Sequence, residues 1–338
     1  VVDEKNHHAV IDELSEKLLS LSCDESGRAI VQKIVKIHEH YTGKYLNQLP
    51  PKMASKITIH QLLHHMSGVP NYHVPYYWDL ALEEKTLGKK LEFIGRGELE
   101  FEPGTNRSYS NSGYVILGAI IEAITDSSYQ EVVDYRICKP LELKDTYVYS
   151  KMMVPNSATG YFKNYKGQLK SNDYLQEPTS PDGGFYATAT DIQKFYQSYF
   201  YDNRLVPQSI KDSSATFAFY KEHSNTGAAI PFAGGFEGAN TVIYEVLRDS
   251  LSIVVFANMD EVVAEDLGAG ILALSRGKEA KSPQLPAIQS VYQAFEKEGL
   301  AAVKANWEEL TQNFHPQDPK DLILNQLGYE LISEGKLT

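Results

Sequence analysis

The sequence predicts an α/β or α+β chain in which a small antiparallel sheet is flanked by helices. Three observations predict it. Residues 241–246 and 252–258 are two β-rich runs separated by a short polar turn. The second run is apolar without interruption, as in a strand covered on both faces. Most other segments carry helical periodicity, and strands beside helical segments imply layered packing.

In chain order, residues 8–21 place Val10, Leu14, Leu18 and Leu21 at helical spacing, and Ile30, Ile34 and Ile37 stripe a second helix over 28–38. Thr58 is positioned to cap a short helix that Gly68 and Pro70 end. Tyr114 to Ile124 is apolar nearly all round, which predicts a buried helix. Residues 150–182 are polar and rich in Tyr, Asn, Gly and Ser, which predicts a long loop. Thr188 and Asp191 are spaced as a capping-box-like pair opening another helix. After the strand pair a helix is expected over about 261–275. Charge, Ser and two prolines mark a linker at 276–286. Three helices are expected beyond it. Ile288, Val291, Tyr292 and Phe295 stripe the first; Leu300, Val303, Trp307 and Leu310 stripe the second; Asp318-Pro319 opens the third. The expected organisation is a main domain over 1–275, the linker, and a helical extension over 287–338.

The chain has 338 residues, 42% of them hydrophobic, enough for a substantial core. A formal net charge of −12 with scattered Lys and Arg argues against a nucleic-acid partner. No apolar run reaches membrane-spanning length. The two cysteines, Cys23 and Cys138, make no disulfide framework or zinc spacing and read as buried thiols. The chain starts at Val1 without an apolar leader, so the expectation is that any export signal has been removed or never existed. His60 and His64 share a helix face beside His65. A metal site would need a third ligand, and Gln61 stands where a His-Glu-x-x-His motif has Glu, so surface or satisfied histidines are expected.

Four segments, in order, carry a family resemblance. They are Ile57 to Pro70; Phe101-Glu102-Pro103-Gly104 with Ser108 to Tyr114; Asp182 to Asp191; and Phe232 to Gly238. Together they resemble the serine β-lactamase and penicillin-binding-protein-like hydrolases, a group that includes class C β-lactamases, D-aminopeptidases and family VIII esterases. The resemblance implies a β-lactamase/transpeptidase-like fold with a helical subdomain and the cleft between them. It implies hydrolysis or acyl transfer on an ester, amide or D-amino-acid peptide through an acyl-serine, with no cofactor and no metal. Tyr109 would be the proton shuttle of a Tyr-x-Asn motif, its acidity increased by neighbouring cations, and Asn111 an orienting group. Phe232, Ala233, Gly234 and Gly235 would line one wall and offer a backbone N–H to the oxyanion. The bland alternative for Tyr109 is an ordinary half-buried aromatic. The family's habitat suggests a periplasmic or extracellular location.

The chain departs from the pattern in two places. No Ser-x-x-Lys lies upstream of Ile57; that at Ser275–Lys278 follows the last strand and helix, as does Ser333–Lys336. Aligning Ala29 to Gln32 with the family's helix puts Ser20 at the nucleophile position and Cys23 at the lysine. Phe232 also stands where Lys or His is usual. Two expectations follow. Either the complete protein carries further strands and a nucleophile and is a hydrolase, or the chain is whole and binds a ligand or partner without catalysis. The first is preferred, because a shortened sheet would leave unpaired backbone groups on a core edge. Residues 321–329 resemble the opening helix of a tetratricopeptide-like repeat, which would serve an oligomer or partner; a helix docked on the main domain is the alternative.

Overall fold

The computed structural model describes residues 40–148, 154–164, 166–175, 177–213, 215–259, 262–282, 287–312 and 320–335. The helices expected over 8–21 and 28–38 lie outside them, as do Asp318 and Pro319. The chain divides into two compact units, Val1–Ser157 with Gln176–Glu222, and Ala158–Leu175 with His223–Thr338.

The first unit is helical among its described residues: α1 Pro51–Ala54, α2 Ile59–Leu63, α3 Pro75–Trp78, α4 Leu87–Arg96, α5 Asn111–Thr125, α6 Tyr129–Val133, α7 Ala189–Phe200 and α8 Gln208–Ser213. A further helix, α9 Ala215–Thr226, contains the division between the units. Thr58 caps α2 as expected, and the box closes: its hydroxyl accepts from the Gln61 N–H while the Gln61 side chain accepts from the Thr58 N–H. The Thr188 hydroxyl likewise accepts from the Asp191 N–H at the start of α7. The Asp191 carboxylate does not reach back to Thr188. It accepts from the Asp145 N–H, the Thr146 hydroxyl and Lys194, so a long-range tie replaces the expected local box. α5 extends the expected buried helix at its front, and its Val115, Ile116, Ala119 and Ile120 sit in one core with Leu62, Leu91 and Ile94.

Two glycines mark where backbone meets backbone or proline. Gly68 has φ +66°, and a Cβ there would lie 2.3 Å from the Phe101 carbonyl oxygen. A Cβ on Gly118 would lie 2.0 Å from Cγ of Pro181, so α5 is pressed directly against the segment before Asp182.

The second unit holds the sheet. β3 Ile230–Phe236, β4 Ala239–Val246 and β5 Leu251–Ala257 form an antiparallel meander in the order β3-β4-β5. The turn between β4 and β5 passes through Ser250 at φ 48°. This is the strand pair read from the sequence, with the glycine-bearing segment added as a third strand. α10 Val263–Ser275 packs on β4 through Gly268, where a Cβ would lie 2.7 Å from Cγ1 of Val242. Asn240 is fully buried and joins the two elements. Its Oδ1 accepts from the Ala264 N–H, and its Nδ2 donates to Glu265.

The segment 150–182 is not wholly loop: Tyr161–Lys163 and Leu169–Ser171 pair as the hairpin β1–β2. The signal was hidden because three-residue strands are too short to show alternation. Asn172 ties the hairpin down, accepting from the Gly160 N–H and donating to the Glu237 carbonyl.

Beyond the linker, the first two expected helices are redistributed. α11 Ala287–Ala305 runs through both stripes with a break at Gly299 (φ 76°), and Trp307 and Leu310 fall on the short α12 Trp307–Leu310. With α13 Lys320–Ser333 these helices share a core of Val291, Tyr292, Val303, Ile323, Leu327 and Leu331. No helix among the described residues is long and apolar enough to cross a membrane.

Gly68→Ala should destabilise the protein by about 1–3 kcal/mol, because left-handed backbone and overlap with Phe101 penalise the same methyl group. A urea midpoint equal to that of the parent protein would contradict this packing.

Candidate functional site

Two family segments are laced together in the first unit by their backbones. The Glu100 N–H donates to the Gly68 carbonyl, Gly104 to Met66, and Ser108 to His65, at 2.8, 2.8 and 2.9 Å. The ladder continues through a side chain: the Ser110 N–H donates to Nδ1 of His65 at 3.2 Å. His65 itself has φ 57°, which turns its ring toward the second segment. That ring lies 4.8 Å from the Tyr109 ring and 5.2 Å from the Tyr114 ring, centroid to centroid.

Ser110 is the N-cap of α5, its hydroxyl accepting from the Gly113 N–H at 3.1 Å. Asn111 is therefore the first residue of a fifteen-residue helix, half-buried at its positive end. Tyr109, just outside the cap, is 77% exposed. The tyrosine is thus presented outward while the backbone on both sides of it is held. An ordinary half-buried core aromatic does not fit this placement.

The electrostatics differ from expectation. Partial burial, then the negative charge of Asp182, then Tyr114 push the Tyr109 phenol above its ordinary range. Among the described residues no cation increases its acidity; the charge that acts on the ring is the Asp182 carboxylate. His65 is moved the other way, below the ordinary histidine range, by burial first and then by Arg107 and His64, against the opposing pull of its Ser110 bond.

Asp182 belongs to a buried cluster. The Tyr72 hydroxyl donates to its Oδ2 at 2.6 Å, and Lys90 Nζ forms an ion pair with Oδ1 at 3.5 Å. Lys90 also donates to the Tyr72 hydroxyl at 3.0 Å. Beside it Lys85 pairs with Glu177 at 2.8 Å, and the Tyr77 hydroxyl donates to the same carboxylate. Burial is the main cause that holds Lys90 below the ordinary lysine range, with Asp182 and Glu177 opposing it.

In the second unit, Phe232, Ala233, Gly234 and Gly235 lie in β3, whose one described strand neighbour is β4. Phe232 is half-buried and the other three are exposed. The Gly234 carbonyl accepts from the Thr241 hydroxyl at 3.2 Å. Ser20 and Cys23 lie outside the described residues. Cys138 is a buried free thiol, pushed up to about 11 by burial, Asp134 and Asp191. The His60 and His64 rings lie tilted against each other, 4.3 Å between centroids, and no group of three or more metal-ligating side chains occurs among the described residues.

Sequence reasoning missed His65, Tyr72, Lys90 and Asp182. His65 had a local signal, since it precedes the Met-Ser-Gly turn and aligns with the Tyr-x-Asn segment. Lys90 and Asp182 lie 18 and 110 residues from Tyr72, so nothing local in the sequence joins the three, although Asp182 opens one of the resemblance segments.

Comparison with known proteins agrees with this picture. The family model described as Beta-lactamase matches residues 18–273, well over half of the chain, and the chain belongs to that family. Penicillin-binding protein 4* of Bacillus subtilis (strain 168) is 24% identical over 253 residues, 65% of this chain and 55% of that protein. The chain therefore spans little more than half the length of this curated relative. Among solved structures, a penicillin binding protein from Bacillus halodurans superposes with a TM-score of 0.58 at 21% identity, over 79% of this chain and 82% of that one. A D-stereospecific amidohydrolase from Streptomyces sp. gives 0.56 at 22% identity, over 74% and 81%. At these identities the structures establish the fold.

Because Nδ1 of His65 accepts from Ser110, a proton there sets two N–H groups against each other. The folded state favours the neutral ring, so its contribution is fully present above the unfolded histidine pKa and is lost as pH falls from there through the lower folded value. Amide exchange of Ser110, corrected for its intrinsic rate, should lose protection progressively as pH falls from the ordinary histidine range through the lower value of the folded ring. His65→Asn, which tolerates the left-handed backbone and keeps an acceptor, should flatten that loss. Constant protection in the parent protein would contradict this arrangement.

Proposed function

We infer that the protein is a serine hydrolase acting on an ester, amide or D-amino-acid peptide through an acyl-serine. The observation that carries the reading is Tyr109, held outward beside Asn111 at the positive end of α5. Family membership supports the acyl-transfer class, and the amidohydrolase neighbour supports a D-amino-acid amide among the substrates.

The Tyr109 phenol, pushed above its ordinary range, is suited to one part of this reaction. A phenol that keeps its proton at neutral pH is a donor first, suited to protonating the leaving group and hydrogen-bonding the attacking oxygen. Asn111 orients the same group or the substrate amide. In the second unit, exposed backbone with small side chains at Ala233–Gly235 fits the oxyanion-binding part of the reading. A periplasmic or extracellular setting belongs to the same proposal.

A second reading, ligand binding without turnover, is favoured by Phe232 in the place of a cation and by Asp182 as the charge acting on Tyr109. A labelled fluorophosphonate and a labelled penicillin separate the two. Covalent mass gain on one serine is expected, with Tyr109→Phe slowing the labelling by roughly 10²-fold or more. Peptide mapping then identifies the serine, Ser20 being the candidate that the sequence offers. No adduct, with penicillin still protecting the Ser110 amide, would establish the binding protein instead.

A further inference from the structure

We propose that Lys90, Tyr72 and Asp182 form a positioning unit for the Tyr109–Asn111 motif, acting through the first turn of α5. The connection runs in two directions. The Tyr72 N–H donates to Oγ of Ser112 at 3.1 Å, in the first turn of α5, and Ser112 is 1% exposed. The hydroxyl of that same tyrosine is clamped by Asp182 and Lys90 at 2.6 and 3.0 Å. Lys90 Nζ also lies 4.6 Å from the Tyr72 ring centroid, so the cation holds ring and hydroxyl together. Asp182 is pinned from the other side, since Pro181 abuts α5 at Gly118. Two family segments, the opening of α5 and the start of the Asp182-Gly183-Gly184 segment, thus meet the residues just after a third on one side-chain cluster.

The groups facing Tyr109 are the His65 and Tyr114 rings and the charge of Asp182, with Arg107 and His64 acting on His65. Asp182 in turn faces Lys90, Tyr72, His73, Tyr77 and Tyr129. Of these groups Asp182 both fixes Tyr72 and carries charge toward Tyr109. It therefore couples the placement of the motif to the readiness of its phenol to ionise.

The test follows Tyr109 in the full chain labelled with [13Cζ]tyrosine, the resonance assigned by Tyr109→Phe. Asp182→Asn keeps the shape but removes the charge, and should move the Tyr109 titration downward by about half a pH unit or more. Asp182→Glu should return it toward the parent value. Lys90→Met with Asp182→Leu leaves no charge unpaired and should remain folded with the same downward shift. A folded Asp182→Asn whose thermal midpoint falls while Tyr109 titrates as in the parent would overturn the proposal. So would loss of the fold in the double variant, since the pair would then serve the core alone. The kinetic consequence rests on the acyl-transfer reading: the pH dependence of fluorophosphonate labelling should move with the titration. If the parent protein takes no label, that reading fails and the titration still decides the positioning role.

Discussion

The placement of Tyr72 depends on an ion pair that water cannot relax. The side chains of Lys90 and Asp182 are 3% and 7% exposed and lie 3.5 Å apart. Bringing both charges out of water costs several kcal/mol per ion, and attraction in a low-dielectric interior offsets this only with further hydrogen bonds. Here the Tyr72 hydroxyl supplies them, donating to the carboxylate and accepting from the ammonium. Removing either charge would strand the other, so the position of Tyr72 is fixed at both ends. Its own phenol is driven upward by burial and by the neighbouring carboxylate, which keeps it a donor at any ordinary pH.

From that fixed ring the order propagates locally. Tyr72 holds Ser112, and Ser112 belongs to the first turn of α5. The cap at Ser110 and the ring of His65 hold the residue before it. Tyr109 therefore needs no packing of its own to be placed; its neighbours in sequence are tied on both sides. This explains how a side chain so exposed can still have a definite direction. It also explains the choice of left-handed backbone at His65, which lets one residue serve the ladder with its carbonyl and the loop with its ring.

How much of this could be read from the sequence depended on how local each cause is. The Thr58–Gln61 box and the β4–β5 pair follow from residues within a few positions of one another, and both were legible. Gly68 was legible as a helix end, whereas its close approach to Phe101 was not. The β1–β2 hairpin was hidden by strand length, and the Asp191 carboxylate by a competing acceptor role 46 residues away. In the candidate site Tyr109 and Asn111 were visible because their context is contiguous. The charge acting on Tyr109 was misread as cationic, because the family resemblance supplies cations while this fold brings Asp182 from a distant segment.

That last difference bears on which of two chemistries the motif is built for. A tyrosine beside cations is prepared to lose its proton and act as a base. A tyrosine beside a carboxylate is prepared to keep it, since ionisation would add a second negative charge nearby. This departure leaves a donor in place of a base. An acyl transfer that runs through this motif then needs its serine activated from elsewhere in the protein, with Tyr109 delivering a proton to the departing group. The buried lysine of this unit cannot take that office, because its ammonium is already committed to Tyr72 and Asp182. On the proposed acyl-transfer reading, the first unit then holds the group suited to the acid half of the reaction.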